Sequence, residues 1–190
     1  MSPLRRVVAA QDFVQSVDRV AYSRGGLGDC IRLMRFRHSI TSAGEQERIY
    51  TKYWQPMERR LGSGLTNFLR HYAMKSGENI YLGGIYAATK KQFIGLKTPD
   101  DVELEIINMS DFGNYYARIL EPELETIDGV RRRLKNLSQL DVTTSYPLLL
   151  RLFDARRLGK LQDEEFERCI ELIEAFVVRR AVCVGFQRTR

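Results

Sequence analysis

The spacing of the apolar residues limits this chain more than any other feature. In "DEEFERCIELIEAFVVRRAVC", residues 163–183, Phe166, Cys169, Ile170, Leu172, Ile173, Phe176, Val177 and Ala181 recur at intervals of three and four. That interval matches the 3.6-residue helical turn and places all of them on one face. The charges agree with it. Asp163, Glu164 and Glu165 crowd the first turn and Arg179 and Arg180 the last, as the helix dipole favours, and Gly185 follows as a stop. No stretch of comparable length alternates as a strand does. "RRVVA" and "AVCVGF" lean towards β structure but are short.

Punctuation residues mark the other helices. Ser42 with Glu45 forms a capping box before "EQERIYTKYWQ". Thr66 is placed to cap "NFLRHYAMKSG", which stops at Gly77, and glycines bracket "GGIYAATKKQFIG". Thr98 and Pro99 open a long helix over 99–120, with acids behind the proline. Pro122 begins another, "PELETIDGVRRRLKNLSQL", and Ser145 caps "YPLLLRLFDARRLG", which ends sharply at Gly159. The expectation is an all-α protein, an irregular multi-helix bundle of eight or nine helices, with 99–120 and 163–183 as its spine. "AAQDFVQSVDRVAYS" and the glycine-rich "SRGGLGD" divide the chain into an N-terminal helix and linker, residues 1–27, and a helical domain, residues 28–190.

Composition narrows the function classes. Hydrophobic residues make up 44% of the 190 residues, as in a folded globular chain. No apolar run approaches the roughly 20 residues needed to span a bilayer, and "VVAA" is too short for a signal peptide. The expected location is the cytoplasm, with no membrane partner. Cys30, Cys169 and Cys183 are widely spaced, and His38 and His71 stand apart. No metal site and no cofactor are expected from such a set. The net charge of +6 makes DNA a candidate partner.

"YTKYWQPMERRLG", residues 50–62, carries the only tryptophan, Trp54, with Pro56 two residues on. A proline inside a helix removes a donor and crowds the preceding turn, so a kink or restart is expected there. Tyr50, Tyr53, Trp54, Met57 and Leu61 form one apolar stripe. Trp54 reads as a buried anchor with its indole N–H hydrogen-bonded, in preference to a platform for stacking bases. The expected core residues are Trp54, Tyr53, Phe68, Phe153 and Phe176. The densest positive patch is "GVRRRLKNL", with Arg131, Arg132, Arg133 and Lys135; Arg156 and Arg157 add a second. These six are the candidate DNA-binding residues, through phosphate contacts. The bland reading of the patch is a solvated face paired with acids such as Glu125 and Asp128. No catalytic residues can be nominated. "TPDDVELE" lacks the lysine of a metal-dependent nuclease motif, and "SRGGLGD" lacks the GK[ST] of a P-loop.

Four stretches occur in a familiar order: "EQERIYTKYWQPMERRLG", "LTNFLRHYAMKSG", "IYAATKKQF" and "YPLLLRLFDARRLGKLQDEEFERCIELIEAFVVRRAVC". Over about residues 28–183 the chain resembles the helical region of GmrSD-type, modification-dependent restriction endonucleases and their uncharacterised relatives. Tyr146, Pro147, Gly159 and the run Val178 to Cys183 carry the most specific part of the likeness. In that family a ParB-like domain with a DGQQR motif precedes this region, and an HNH-type nuclease region can follow it. Neither motif occurs here, so no catalytic residue carries over. The resemblance implies a non-catalytic helical module of a restriction or phage-defence system, binding DNA or docking a partner nuclease subunit. The alternative is a truncated or decayed remnant without independent activity. A nuclease in its own right ranks behind both.

Overall fold

The computed structural model describes residues 48–187, residue 97 excepted. The described residues are helical throughout, joined by turns, and contain no strand. Six α-helices have ten residues or more: α2 (Leu65–Met74), α3 (Ile85–Ile94), α4 (Pro99–Leu120), α5 (Asp128–Gln139), α6 (Tyr146–Arg157) and α7 (Asp163–Gln187). A shorter one, α1 (Gln55–Leu61), precedes them. The all-α class stands, but the expected eight or nine helices are not reached within these residues. The N-terminal helix, the linker and the Ser42 capping box lie outside them.

Pro56 stands where the helix restarts. Residues Tyr50–Trp54 wind as one π-helical turn, and the Gln55 N–H donates to the Tyr50 carbonyl five residues back. The wider turn makes room for the proline ring, which then sits within the first two positions of α1. The stripe read from the sequence faces the core. Trp54 and Met57 are each 2% exposed and Leu61 is buried, while Tyr50 and Tyr53 are half-buried. One expectation fails in detail: the Trp54 indole N–H is buried without a hydrogen-bond partner among the described residues.

Helix α4 is the true centre. Thr98 and Asp101 cap it reciprocally: the Asp101 N–H donates to Thr98 Oγ1, and the Thr98 N–H to the Asp101 carboxylate. Val102, Ile106, Met109, Phe112, Tyr116 and Ile119 are buried along it, and it packs against α1, α2, α5 and α6. At Gly113 the backbone meets α1 so closely that a β-carbon would stand 2.7 Å from Met57 Cγ. Around α4 the rings of Phe68, Tyr72, Phe112, Tyr115, Tyr116, Tyr146, Phe153 and Phe166 pack edge-on, tilted or stacked, with centroids 4.8–5.8 Å apart. His71 lies among them, with Nδ1 3.1 Å from the Tyr116 hydroxyl in a hydrogen bond. Burial, aided by the neighbouring Arg70 charge, pushes the His71 imidazole down to about 4.

Several boundaries differ from the sequence reading, each for a local reason. The segment from Pro122 is not one helix. Pro122–Leu124 form a single 3₁₀ turn, Glu125 adopts an extended backbone, and α5 starts at Asp128. Thr66 lies inside α2, whose N-cap is Gly64. Ser145 holds the N-cap position of α6, but its hydroxyl donates backwards to the Val142 carbonyl and caps nothing. Gly77 and Gly159 do end their segments, with φ of 96° and 69°. Helix α7 runs through Gly185 to Gln187. It is also not part of a central spine. Phe166 and Ile170 are fully buried, and α7 packs against α5 and α6, but Leu172, Phe176, Val178 and Val182 further along it are exposed.

Candidate functional site

The basic helix α5 has two faces. Val130, Leu134 and Leu137 are buried, at the spacing of four and three expected for the inner face of a helix. The cations occupy the other face, opposite the acids of α7. Arg132 Nη2 lies 3.4 Å from Glu167, and Arg133 lies 3.0 Å from Glu171 and 3.3 Å from Glu174. Asn136 also donates to Glu174, at 2.9 Å. Glu167, Glu171 and Glu174 are spaced four and three apart, so one side of α7 presents a ladder of carboxylates to α5. Gly129 admits the ladder's first rung, since a β-carbon there would stand 2.0 Å from the Glu167 carboxylate. Arg131 turns back instead, donating from Nε to the Glu125 carbonyl at 2.8 Å and pairing with Asp128 at 2.9 Å. Lys135 pairs with Glu123.

The second nominated pair is engaged as well. Arg157 holds Asp154 at 2.9 Å. Arg156 donates to Asp163 at 2.7 Å and reaches the Glu125 carboxylate at 3.4 Å, with its guanidinium over the Phe166 ring. Each of the six nominated cations therefore lies within ion-pair distance of a carboxylate. Patch density in a sequence counts cations and does not show the acids that another helix brings to them.

Glu125 is the residue the sequence reading misplaced. The sequence reads it as an acid pairing with a solvated basic face; it does face Arg156 and Arg118, but its side chain is fully buried. One carboxylate oxygen accepts the backbone N–H groups of Thr126 (2.9 Å) and Ile127 (3.2 Å). The other faces Arg156 at 3.4 Å and Arg118 at 3.6 Å. This carboxylate fixes the break between the 3₁₀ turn and α5 and ties it to α4 and α6. The extended turn after Pro122 was the missing signal.

The core nominations divide. Trp54, Phe68 and Phe153 are buried and Tyr53 is half-buried, but Phe176 is 63% exposed. The helical period is correct, but the Phe176 side chain is left largely uncovered among the described residues. Leu172 (63%), Phe176, Val178 and Val182 are all exposed along this half. Beside them Phe176, Val177, Arg180 and Ala181 line a cleft of about 380 Å³ against Val142 and Thr144. Arg168, Arg179 and Arg180 are exposed on the same helix, and no carboxylate pairs with them among the described residues. The result is an exposed helix half that is apolar and basic, next to a half that is paired and anchored.

Comparison with protein-family models, with curated proteins and with solved structures gave no match. Among the described residues no helix is long and apolar enough to cross a membrane.

Proposed function

We propose that this chain is a non-catalytic helical module of a GmrSD-like restriction or phage-defence system, and that it docks a partner nuclease subunit on the exposed half of α7. The observation that carries the reading is the exposure of two i,i+4 apolar pairs on α7, Leu172 with Phe176 and, further round the helix, Val178 with Val182, beside Arg179 and Arg180, which no carboxylate pairs with among the described residues. Contiguous apolar surface rimmed by charge is a usual mark of a protein contact site. The chemistry asks for a partner face that is apolar at its centre and acidic at its edge.

DNA is the second reading, favoured by the net charge of +6. Against it, all six nominated cations already face carboxylates, so phosphate contacts there must compete with existing ion pairs. Two titrations test the readings: the full chain with a GmrSD-type nuclease subunit, and the full chain with plain and cytosine-modified duplexes at two salt concentrations. Saturable binding of the subunit supports docking. Duplex binding that weakens steeply with salt, without subunit binding, replaces docking with DNA recognition. Failure of both leaves the decayed remnant as the better account.

A further inference from the structure

Away from α7, a cavity of about 320 Å³ opens between the end of α2, the turn that follows it, and α3. Tyr72, Lys75, Ile80, Ala88, Lys91 and Gln92 are in its wall. We propose that this cavity takes a small aldehyde bearing an anionic group, and that the Lys75 amine joins the aldehyde carbon as an imine.

The geometry around Lys75 is unusual for a lysine. It is half-buried, and no carboxylate pairs with it among the described residues. Its Nζ sits 3.3 Å from the centre of the Tyr72 ring and 4.6 Å from that of Phe112. The wall beneath it is fixed. The Tyr72 hydroxyl donates to Glu105 at 2.6 Å and accepts from Asn108 at 2.9 Å, and Gln92 donates to the same Glu105 oxygen. Tyr72 is therefore fully engaged and holds the amine in place without taking part. Ile80 and Ala88 add an apolar lining, which disfavours water and so favours a condensation that releases it. At the rim, Lys91 is exposed and lies 3.4 Å from the exposed Glu78, which also lines the cavity, so an anionic tail that Lys91 receives takes the place of that carboxylate.

Burial brings the Lys75 amine down to about 8. The charges of Glu105 on α4 and Asp154 on α6 oppose that shift, and Arg151 on α6 adds to it. A substantial share of Lys75 is then neutral near pH 8, where an ordinary lysine is almost wholly protonated. In the reaction the Nζ lone pair forms the C–N bond and the carbonyl π pair moves to oxygen. Proton transfer from nitrogen to oxygen through solvent gives the carbinolamine, which then loses water. One amine and one carbonyl become one imine and one water, with no change of oxidation state.

The probe is pyridoxal 5′-phosphate. The full chain is exposed to it across pH 6.5–9.5, trapped with borohydride, and the labelled lysines are mapped by peptide mass spectrometry. Lys75 is expected to label at least about tenfold faster than the exposed Lys52, Lys91 and Lys160 at pH 7.5, with a midpoint near pH 8. Lys75→Arg, which keeps the cation and its packing, should remove that fast label and leave Lys91 labelling unchanged. Labelling that follows exposure, with Lys75 slower than Lys52 and Lys160, overturns the proposal.

Discussion

At the scale of single residues, three buried polar groups set the stability of the fold, each in a different way. Trp54 is an apolar anchor with an orphan donor. Trp54→Ala should cost about 3–5 kcal/mol, the range for losing a large buried aromatic. Trp54→Phe should cost markedly less, because it also removes an unsatisfied N–H that itself costs about 1–3 kcal/mol. Urea denaturation of the two variants measures the difference. Equal losses would show that the indole N–H has a partner in solution. Glu125 is the opposite case, a buried charge with every lone pair directed at a donor. Glu125→Ala takes a carboxylate from Arg118 and Arg156, of which Arg156 keeps Asp163, and uncaps Thr126 and Ile127, so a loss of about 1–3 kcal/mol is expected. A loss below about 1 kcal/mol would mean that the carboxylate is solvated. His71 links the fold to pH. Its imidazole is held near 4 in the folded chain against 6.5 when unfolded, so between those values only the unfolded chain takes up the proton. The His71 contribution is therefore complete above about pH 6.5 and is lost as pH falls towards 4, a change of roughly 3 kcal/mol. Urea midpoints followed down that range should fall in the wild type and fall less in His71→Phe. Parallel curves for the two proteins would exclude His71 as the source.

At the scale of elements, the contrast between α5 and α7 shows what periodicity reveals and what it leaves out. The apolar spacing located α7 and the inner face of α5, because a 3.6-residue period is a property of the element alone. It did not say how far along α7 the partner surface extends. That depends on what α5 and α6 cover, and Phe176 is left largely uncovered. For the same reason the Arg131–Arg133 run looked like a patch for phosphates. The carboxylates of Glu167, Glu171 and Glu174 come to it from about 40 residues further along the chain, a separation no local pattern contains. The burial of Glu125 is not legible because a proline-led start reads as continuous helix, whereas the backbone at Glu125 is extended. The Lys75 cavity had no sequence signal, since its wall is assembled from two helices and the turn between them. Replacing Arg131, Arg132 and Arg133 with alanine together is accordingly expected to loosen α5 from α7. The loss should be about 1–3 kcal/mol, the sum of partly exposed pairs that each contribute up to about 1 kcal/mol. Duplex affinity should change little. A tenfold or greater drop in affinity in the folded triple variant would return the patch to DNA.

At the scale of the whole molecule, the described residues form one bundle around α4, with stability concentrated in its aromatic interior and the function proposed here carried by exposed residues of α7. This division makes the proposal separable from folding. Phe176 is 63% exposed, so a charged residue there should leave the thermal midpoint within a few degrees of wild type. The most direct measurement is a calorimetric titration of a GmrSD-type nuclease subunit into the full chain, comparing wild type with Phe176→Asp. The expected result is saturable binding by the wild type and at least about a tenfold weaker affinity in the variant, as for a residue at the centre of an apolar contact, with both proteins equally folded. Equal affinity of the two proteins, or no binding by the wild type, would contradict docking through α7.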